Sequence, residues 1–249
     1  MKILVANPNT SAGVTDRLVA AGRLVASAGT ELLPMTASYG VPYIATRAEA
    51  AIGAAAALDM LAERGGTVDA AIVAAFGDPG PGGARELFDC PVVGMAEAAM
   101  LVACTLGRRF GIVSFSRSLE PWFAEIVAWH GMTGRCAAIR TLDEGFRSID
   151  EVQEEKEAVL VELALRTVNN DGAGVVILAG APLAGLANKI RDRVPVPLVD
   201  GIQAAVVMAE GLVRMNPRKA TAGTYRRPGP KESKGLSAAL ADVIGHRDS

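Results

Sequence analysis

Four short turns carry most of the polar atoms in this chain that could do chemistry. They read NPNTS (7–11), FGDPG (76–80), SFSRS (114–118) and AGAPLAG (179–185), and each follows an apolar run. Their residues of interest are Asn7, Pro8, Asn9, Thr10 and Ser11, then Phe76, Gly77 and Asp78. The second pair of turns adds Ser114 and Ser116, then Gly180, Ala181 and Pro182. Amides, hydroxyls and bare backbone N–H groups, with few charges, suit an anion or a polarised carbonyl oxygen. Two such turns facing two others would enclose a small polar molecule. Two-sided proton transfer at carbon needs that geometry, with one group on each face. Yet the residue before FGDPG is Ala75, which neither gives nor takes a proton. The candidate bases are Asp78, Tyr43 and Ser114, or a water held by Asn7 and Ser114. Each also has a plainer reading. Asp78 reads as a cap of the next helix, Tyr43 as a core aromatic, Ser114 and Ser116 as caps, and NPNTS as a turn and N-cap.

Residue counts remove other chemistries. The two histidines, His130 and His246, are too few for a histidine-rich metal site. Three dispersed cysteines, Cys90, Cys104 and Cys136, fit neither a disulfide framework nor a zinc cluster. They read as packing residues, and His130, just before Gly131, as a C-cap cation or surface residue. A net charge of −2 over 249 residues gives no electrostatic reason to expect nucleic acid or an anionic membrane as partner. No apolar stretch has the continuity of a membrane span. The opening KILVA is too short for the apolar region of a signal peptide, so a cytoplasmic protein is expected.

The elements that must position the turns alternate strand and helix. KILVAN, TELLPMTA, DAAIVAAFG and CPVVGM read as strands, with amphipathic or Ala-rich helices between them. That rhythm predicts an α/β fold with mostly parallel sheets. The pattern then repeats. FGIVSFSRSLEPWFAEIVAWHG matches the first strand, turn and helix, and GVVILAGAPLAGLANKIRDRVPVPLVDGIQAAV matches AAIVAAFGDPGPGGARELFDCPVVGMAEAAM. Aligned at the turn, Ala75 faces Gly180, Phe76 faces Ala181 and Gly77 faces Pro182. The chain therefore reads as two copies of one half. Residues 1–98 plus 209–249 form the first lobe and 99–208 the second. A Pro- and Gly-rich loop leads to a last short helix near LSAALADVIG.

NPNTS, FGDPG…ARE…PVVG…EAA, LAGLA…VPLVDGIQAAV and the closing TAGTYRRPGPKESKG together resemble the aspartate/glutamate racemase superfamily, above all its hydantoin/allantoin racemase branch. The resemblance runs in order along essentially the whole chain. It implies two pseudo-symmetric α/β lobes with one site in the cleft between them, a small-molecule substrate, no metal, no organic cofactor and a homo-oligomer. It also implies one cysteine per lobe, one thiolate removing a proton from carbon and the other returning one to the opposite face. The first cysteine would stand at Ala75 and the second at Gly180, so both thiols are missing. A racemase or isomerase acting on a hydantoin, ureide or amino-acid-type carbon acid is the favoured expectation. Its alternatives are another reaction in the same shell (decarboxylase, lyase or water-using hydrolase) and a non-catalytic binder. Cysteines placed at both 75 and 180 are expected to raise hydantoin racemisation.

Overall fold

Eight apolar runs form eight parallel strands in two four-stranded sheets. The structure is a computed structural model that describes residues 1–247 except Glu144, Phe146 and Asp150. In the first sheet lie β1 (Lys2–Asn7), β2 (Glu31–Thr36), β3 (Ala70–Val73) and β4 (Val92–Gly94), in the order β2-β1-β3-β4. The second holds β5 (Phe110–Ser114), β6 (Cys136–Thr141), β7 (Val175–Leu178) and β8 (Leu198–Asp200), in the order β6-β5-β7-β8. The halves thus share one winding order. β3, β5 and β7 are buried along their whole length, as parallel strands covered on both faces must be. Pro34, which cannot donate to a ladder, falls in β2 at the sheet's edge.

Each strand is followed by a helix. The first half carries α1 (Ala12–Arg23), α2 (Arg47–Arg64), α3 (Pro81–Leu87) and α4 (Met95–Leu106). The second carries α5 (Glu120–Trp129), α6 (Val152–Asp171), α7 (Leu186–Ile190) and α8 (Gly201–Met215). A short α9 (Ala238–Ile244) follows the Pro- and Gly-rich loop and packs on α2. Local sequence sets the helix ends. Ser11 caps α1 through Val14 N–H, and Asp200 caps α8 through Ile202 and Gln203 N–H. Gly172 ends α6, and Asn216 ends α8, both in the left-handed region.

The two sheets do not keep their own covers. α4 leaves the first sheet and packs on β7 and β8 of the second, whereas α8 leaves the second and packs on β3, β4 and α1. The two helices also pack on each other. This exchange aims the carboxyl ends of both sheets at one cleft. In each sheet the chain reverses its winding between two central strands, β1 and β3 or β5 and β7. The loops leaving those strands diverge and open a crevice, where open α/β sheets bind ligands.

A buried carboxylate secures the exchanged helix. Glu210 of α8 is 3% exposed. It accepts hydrogen bonds from Ser27 N–H (2.8 Å), Ser27 Oγ (2.5 Å), Thr30 Oγ1 (2.6 Å) and Arg214 (2.7 Å). Ser27 and Thr30 lie in the turn between α1 and β2. Burial alone pushes this carboxyl up, but the hydroxyl, amide and guanidinium donors outweigh it and hold it down, from the usual 4.5 to about 2. A depressed carboxyl stabilises the fold fully above about pH 5 and loses that contribution as pH falls toward 2. Replacing it, in Glu210→Gln, is expected to cost roughly 1–3 kcal/mol at pH 7. Urea denaturation at pH 7 and pH 3 checks this: the wild type should lose more stability on acidification than the variant, and equal losses would contradict the assignment.

Candidate functional site

The two halves present their critical turns with the same backbone. Ala74 N–H donates to Ala6 carbonyl and Ala179 N–H to Val113 carbonyl, both at 2.8 Å. Further on, Gly80 (φ 88°) starts α3 and Gly185 (φ 87°) starts α7. Ala75 and Gly180 occupy the same place between these landmarks, one residue past the last strand-to-strand hydrogen bond. Both line a cavity between the lobes, and Phe76, Ala181, Pro182, Asn9 and Tyr43 line it with them.

The cavity is small and mostly apolar. It holds about 30 Å³ of solvent-sized space, room for two or three waters by the rough 10–15 Å³ each requires. Ile44, Phe115, Leu119, Trp122 and Phe123 complete its wall. Five of the chain's eleven aromatic residues are gathered there. Phe76 meets Phe123 edge-on at 4.9 Å between ring centres, Trp122 lies 5.9 Å from Phe123, and Tyr43 lies 6.2 Å from Phe115. The sequence reading missed Ile44, Phe115, Leu119, Trp122 and Phe123. Phe115, Leu119, Trp122 and Phe123 stand at helical spacing in the sequence, but the structure puts only Trp122 and Phe123 in α5, and such a stripe reads equally well as ordinary core.

Other expected site residues serve the frame. Asn7 is fully buried; its Nδ2 donates to Asn9 Oδ1 (2.9 Å), Ser11 carbonyl (3.1 Å) and Thr15 Oγ1 (2.9 Å). Thr10 N–H donates to Val41 carbonyl, which holds the loop carrying Tyr43 against NPNTS. Pro8 is buried outside the cavity wall, and Ser11 is the cap of α1. Ser114 is buried and donates its hydroxyl to Ala179 carbonyl at 2.8 Å, and Ser116 pairs with Ser118. None of these, nor Gly77, lines the cavity.

Asp78 also stands away from the cavity wall, at φ 45°. Its carboxylate accepts from Ala96 and Glu97 N–H, both at 2.8 Å, and so caps α4 rather than the helix that follows it. Its Cγ lies where a side chain on Gly94 would start, 2.6 Å from an ideal Cβ. The second half solves the same problem differently. Asp200, which ends β8 as Gly94 ends β4, caps α8 itself and also accepts from Gly185 N–H at 2.5 Å. His130 is the C-cap of α5, yet its side chain is buried against Asp78 (3.2 Å) and Glu97 (3.8 Å) rather than on the surface. Glu97 in turn pairs with Arg85.

Among the described residues no cluster of three or more His, Cys, Asp or Glu could hold a metal, and no helix is long and apolar enough to cross a membrane. The three cysteines are unpaired, half-buried and absent from the cavity wall, and burial pushes the thiols of Cys90 and Cys136 up. The expected double replacement by cysteine also meets an obstacle. Gly180 has φ 116°, a region that side-chain-bearing residues rarely adopt, and a Cβ there would lie 2.6 Å from Phe115 Cε1. Ala75 already carries a Cβ and borders free space.

Two parallel α/β lobes meeting at one shared cleft, with paired turns from each, define a two-lobed racemase-type architecture. A family model described as Asp/Glu/Hydantoin racemase matches residues 3–209, and the chain belongs to that family. A hydantoin racemase of Paenarthrobacter aurescens is 32% identical over 234 residues, covering 93% of this chain and 99% of that one. The solved allantoin racemase from Klebsiella pneumoniae superposes with a TM-score of 0.91 at 34% identity, over 96% of this chain and 98% of its own. Allantoin racemase from Pseudomonas fluorescens gives 0.87 at 33%, over 94% and 100%.

The two thiol positions should respond unequally to substitution. Ala75→Cys is expected to change stability by less than about 1.5 kcal/mol. Gly180→Cys is expected to cost roughly 2–5 kcal/mol, combining backbone strain with overpacking. Adding Phe115→Ala to Gly180→Cys should recover the packing part and leave the backbone part. Chemical denaturation measures all three, and equal stability of the two single variants would show that residue 180 is free to change its backbone.

Proposed function

We propose that this racemase-family chain holds a small cyclic amide or ureide in the cleft between its lobes, and that exchange of a proton between paired thiols does not operate in it. One observation carries the reading: among the described residues, the cavity wall contains no carboxylate, thiol, imidazole or amine. Proton abstraction from carbon needs a base within hydrogen-bond reach, on each face for a two-base reaction. The positions that the resemblance gives to thiols hold Ala75 and Gly180. Asp78 and Ser114, the bases expected in their place, stand off the cavity wall: Asp78 accepts the amides that start α4, and Ser114 donates its hydroxyl to Ala179 carbonyl. What remains is an apolar, aromatic chamber edged by amides, which suits recognition of a flat ring better than turnover.

A second reading rests on Tyr43, whose phenol is the one side-chain hydroxyl on the cavity wall among the described residues. A phenolate acting on one face would exchange the carbon-bound proton with solvent without needing a partner opposite.

The test is proton exchange in D₂O followed by NMR and optical rotation. The unmodified protein is given single enantiomers of 5-substituted hydantoins and of allantoin. The proposal expects saturable thermal stabilisation, worth about 2.7 kcal/mol at a ligand concentration of 100 Kd. It also expects no exchange at the stereocentre above the buffer rate. Exchange that disappears in Tyr43→Phe would establish the one-sided reaction instead, and loss of optical rotation that survives Tyr43→Phe would defeat both readings.

A further inference from the structure

The hydrogen-bonding groups around the cavity are unevenly spent. Trp122 is 5% exposed and lines the cavity, yet its indole N–H donates to no group among the described residues. The indole edge next to that nitrogen faces Gly77 across the cleft: an ideal Cβ on Gly77 would lie 2.3 Å from Trp122 Cζ2 and 2.9 Å from Cε2. Only a glycine leaves room for the ring. The indole nitrogen is not among the fully buried unpaired atoms, so the N–H has open space beside it and can donate to an acceptor that a ligand brings.

Asn9 offers a second donor. Ser11 N–H can only donate, so the Asn9 atom it meets at 2.9 Å is Oδ1, and Asn7 Nδ2 donates to the same oxygen. This fixes the amide and leaves Nδ2 without a partner among the described residues, on a residue that lines the cavity. Acceptors are taken instead. The carbonyls of Ala75, Gly180 and Ala181 accept from Asp78, Leu183 and Ala184 N–H, and Pro182 carbonyl accepts from Gln153 Nε2 at 2.9 Å. The chamber therefore offers these two donors, one from each lobe, with aromatic faces between them, and four of its carbonyls already accept a hydrogen bond.

We infer that Trp122 is a ligand-binding residue that selects for carbonyl oxygen. Its N–H from the second lobe and Asn9 Nδ2 from the first donate to two carbonyl oxygens of a flat, uncharged ring stacked in the aromatic wall. The inference rests on the ligand-binding reading above and adds the chemical feature that is recognised. It also gives Trp122 a role in closing the site, because a ligand that pairs with it ties α5 to the loop that holds Asn9.

The test uses the fact that the chain has two tryptophans, of which Trp129 is 80% exposed. In a Trp129→Phe background the emission reports Trp122 alone, in an otherwise intact site. Hydantoin, with two ring carbonyls, is titrated against 2-pyrrolidinone, with one, by fluorescence and by calorimetry. Expected are a change in Trp122 emission that saturates with the calorimetric isotherm and about tenfold tighter binding of hydantoin. Trp122→Phe, which keeps a smaller aromatic face and removes the N–H, should weaken hydantoin about tenfold and 2-pyrrolidinone less; tenfold corresponds to about 1.4 kcal/mol. If hydantoin binds but leaves Trp122 emission unchanged, or the two ligands bind alike, the inference fails and the ligand-binding reading stands. If neither ligand binds the unmodified protein, both fall.

Discussion

A parallel sheet must be covered on both faces, and in this chain each sheet takes one cover from the other half. α4 lies on the second sheet and α8 on the first, and the two pack on each other. Everything at the cleft depends on that exchange. It makes the carboxyl ends of β1, β3, β5 and β7 converge, and it means that neither lobe can complete its core alone. The best-held ends of the two exchanged helices are held by buried carboxylates. Asp78 and Asp200 receive the N-terminal amides, and Glu210 anchors the middle of α8 to the turn after α1. Asp78, one of the expected bases, thus serves to hold an exchanged helix.

The capping carboxylates also show how far the internal repeat can drift. In the first half the carboxylate comes from the loop after β3 and β4 ends in glycine; in the second half it comes from the end of β8. The space at each helix start admits one carboxylate, as the 2.6 Å approach of Asp78 to a Cβ on Gly94 shows. Moving the acid from one segment to the other keeps the cap and changes the loop beside the cavity. Asp78 draws FGDPG toward α4 and His130, and the matching loop after β7 is free of that tie and is held instead by Gln153. The two walls of the cleft are therefore unlike, although the strands behind them are alike.

α5 is the second asymmetric element. From one helix of the second lobe, Trp122 lies over Gly77, Phe123 packs on Phe76, Glu125 pairs with Arg47, and the helix ends at His130 beside Asp78. Every one of those partners belongs to the first half of the chain. The same helix thus adds two rings to the chamber wall and pairs with the first half of the chain beyond it. An aromatic filling of this kind leaves little solvent in the site and makes any polar contact inside it stronger than it would be in water.

Much of this was legible in the amino-acid sequence. Strand and helix alternation, the repeat, the last short helix and the pairing of Ala75 with Gly180 follow from local periodicity and turn chemistry, which short stretches of chain carry by themselves. So does the presence of Asn9, Phe76, Ala181 and Pro182 on the cavity wall, since they stand just past the central strands β1, β3 and β7. Tyr43, on the loop after the edge strand β2, is instead held there by the bond from Thr10 N–H to Val41 carbonyl. Tertiary structure alone decided where side chains spend their hydrogen bonds. That Asp78 caps α4 eighteen residues on, that Ser114 serves Ala179, and that His130 is buried against two carboxylates are contacts between segments distant in sequence. A cap and a catalytic base are the same residue type until the partner is known. The apolar stripe at 115, 119, 122 and 123 was ambiguous for the same reason: periodicity says that a face is covered, and only packing says whether protein or a cavity covers it.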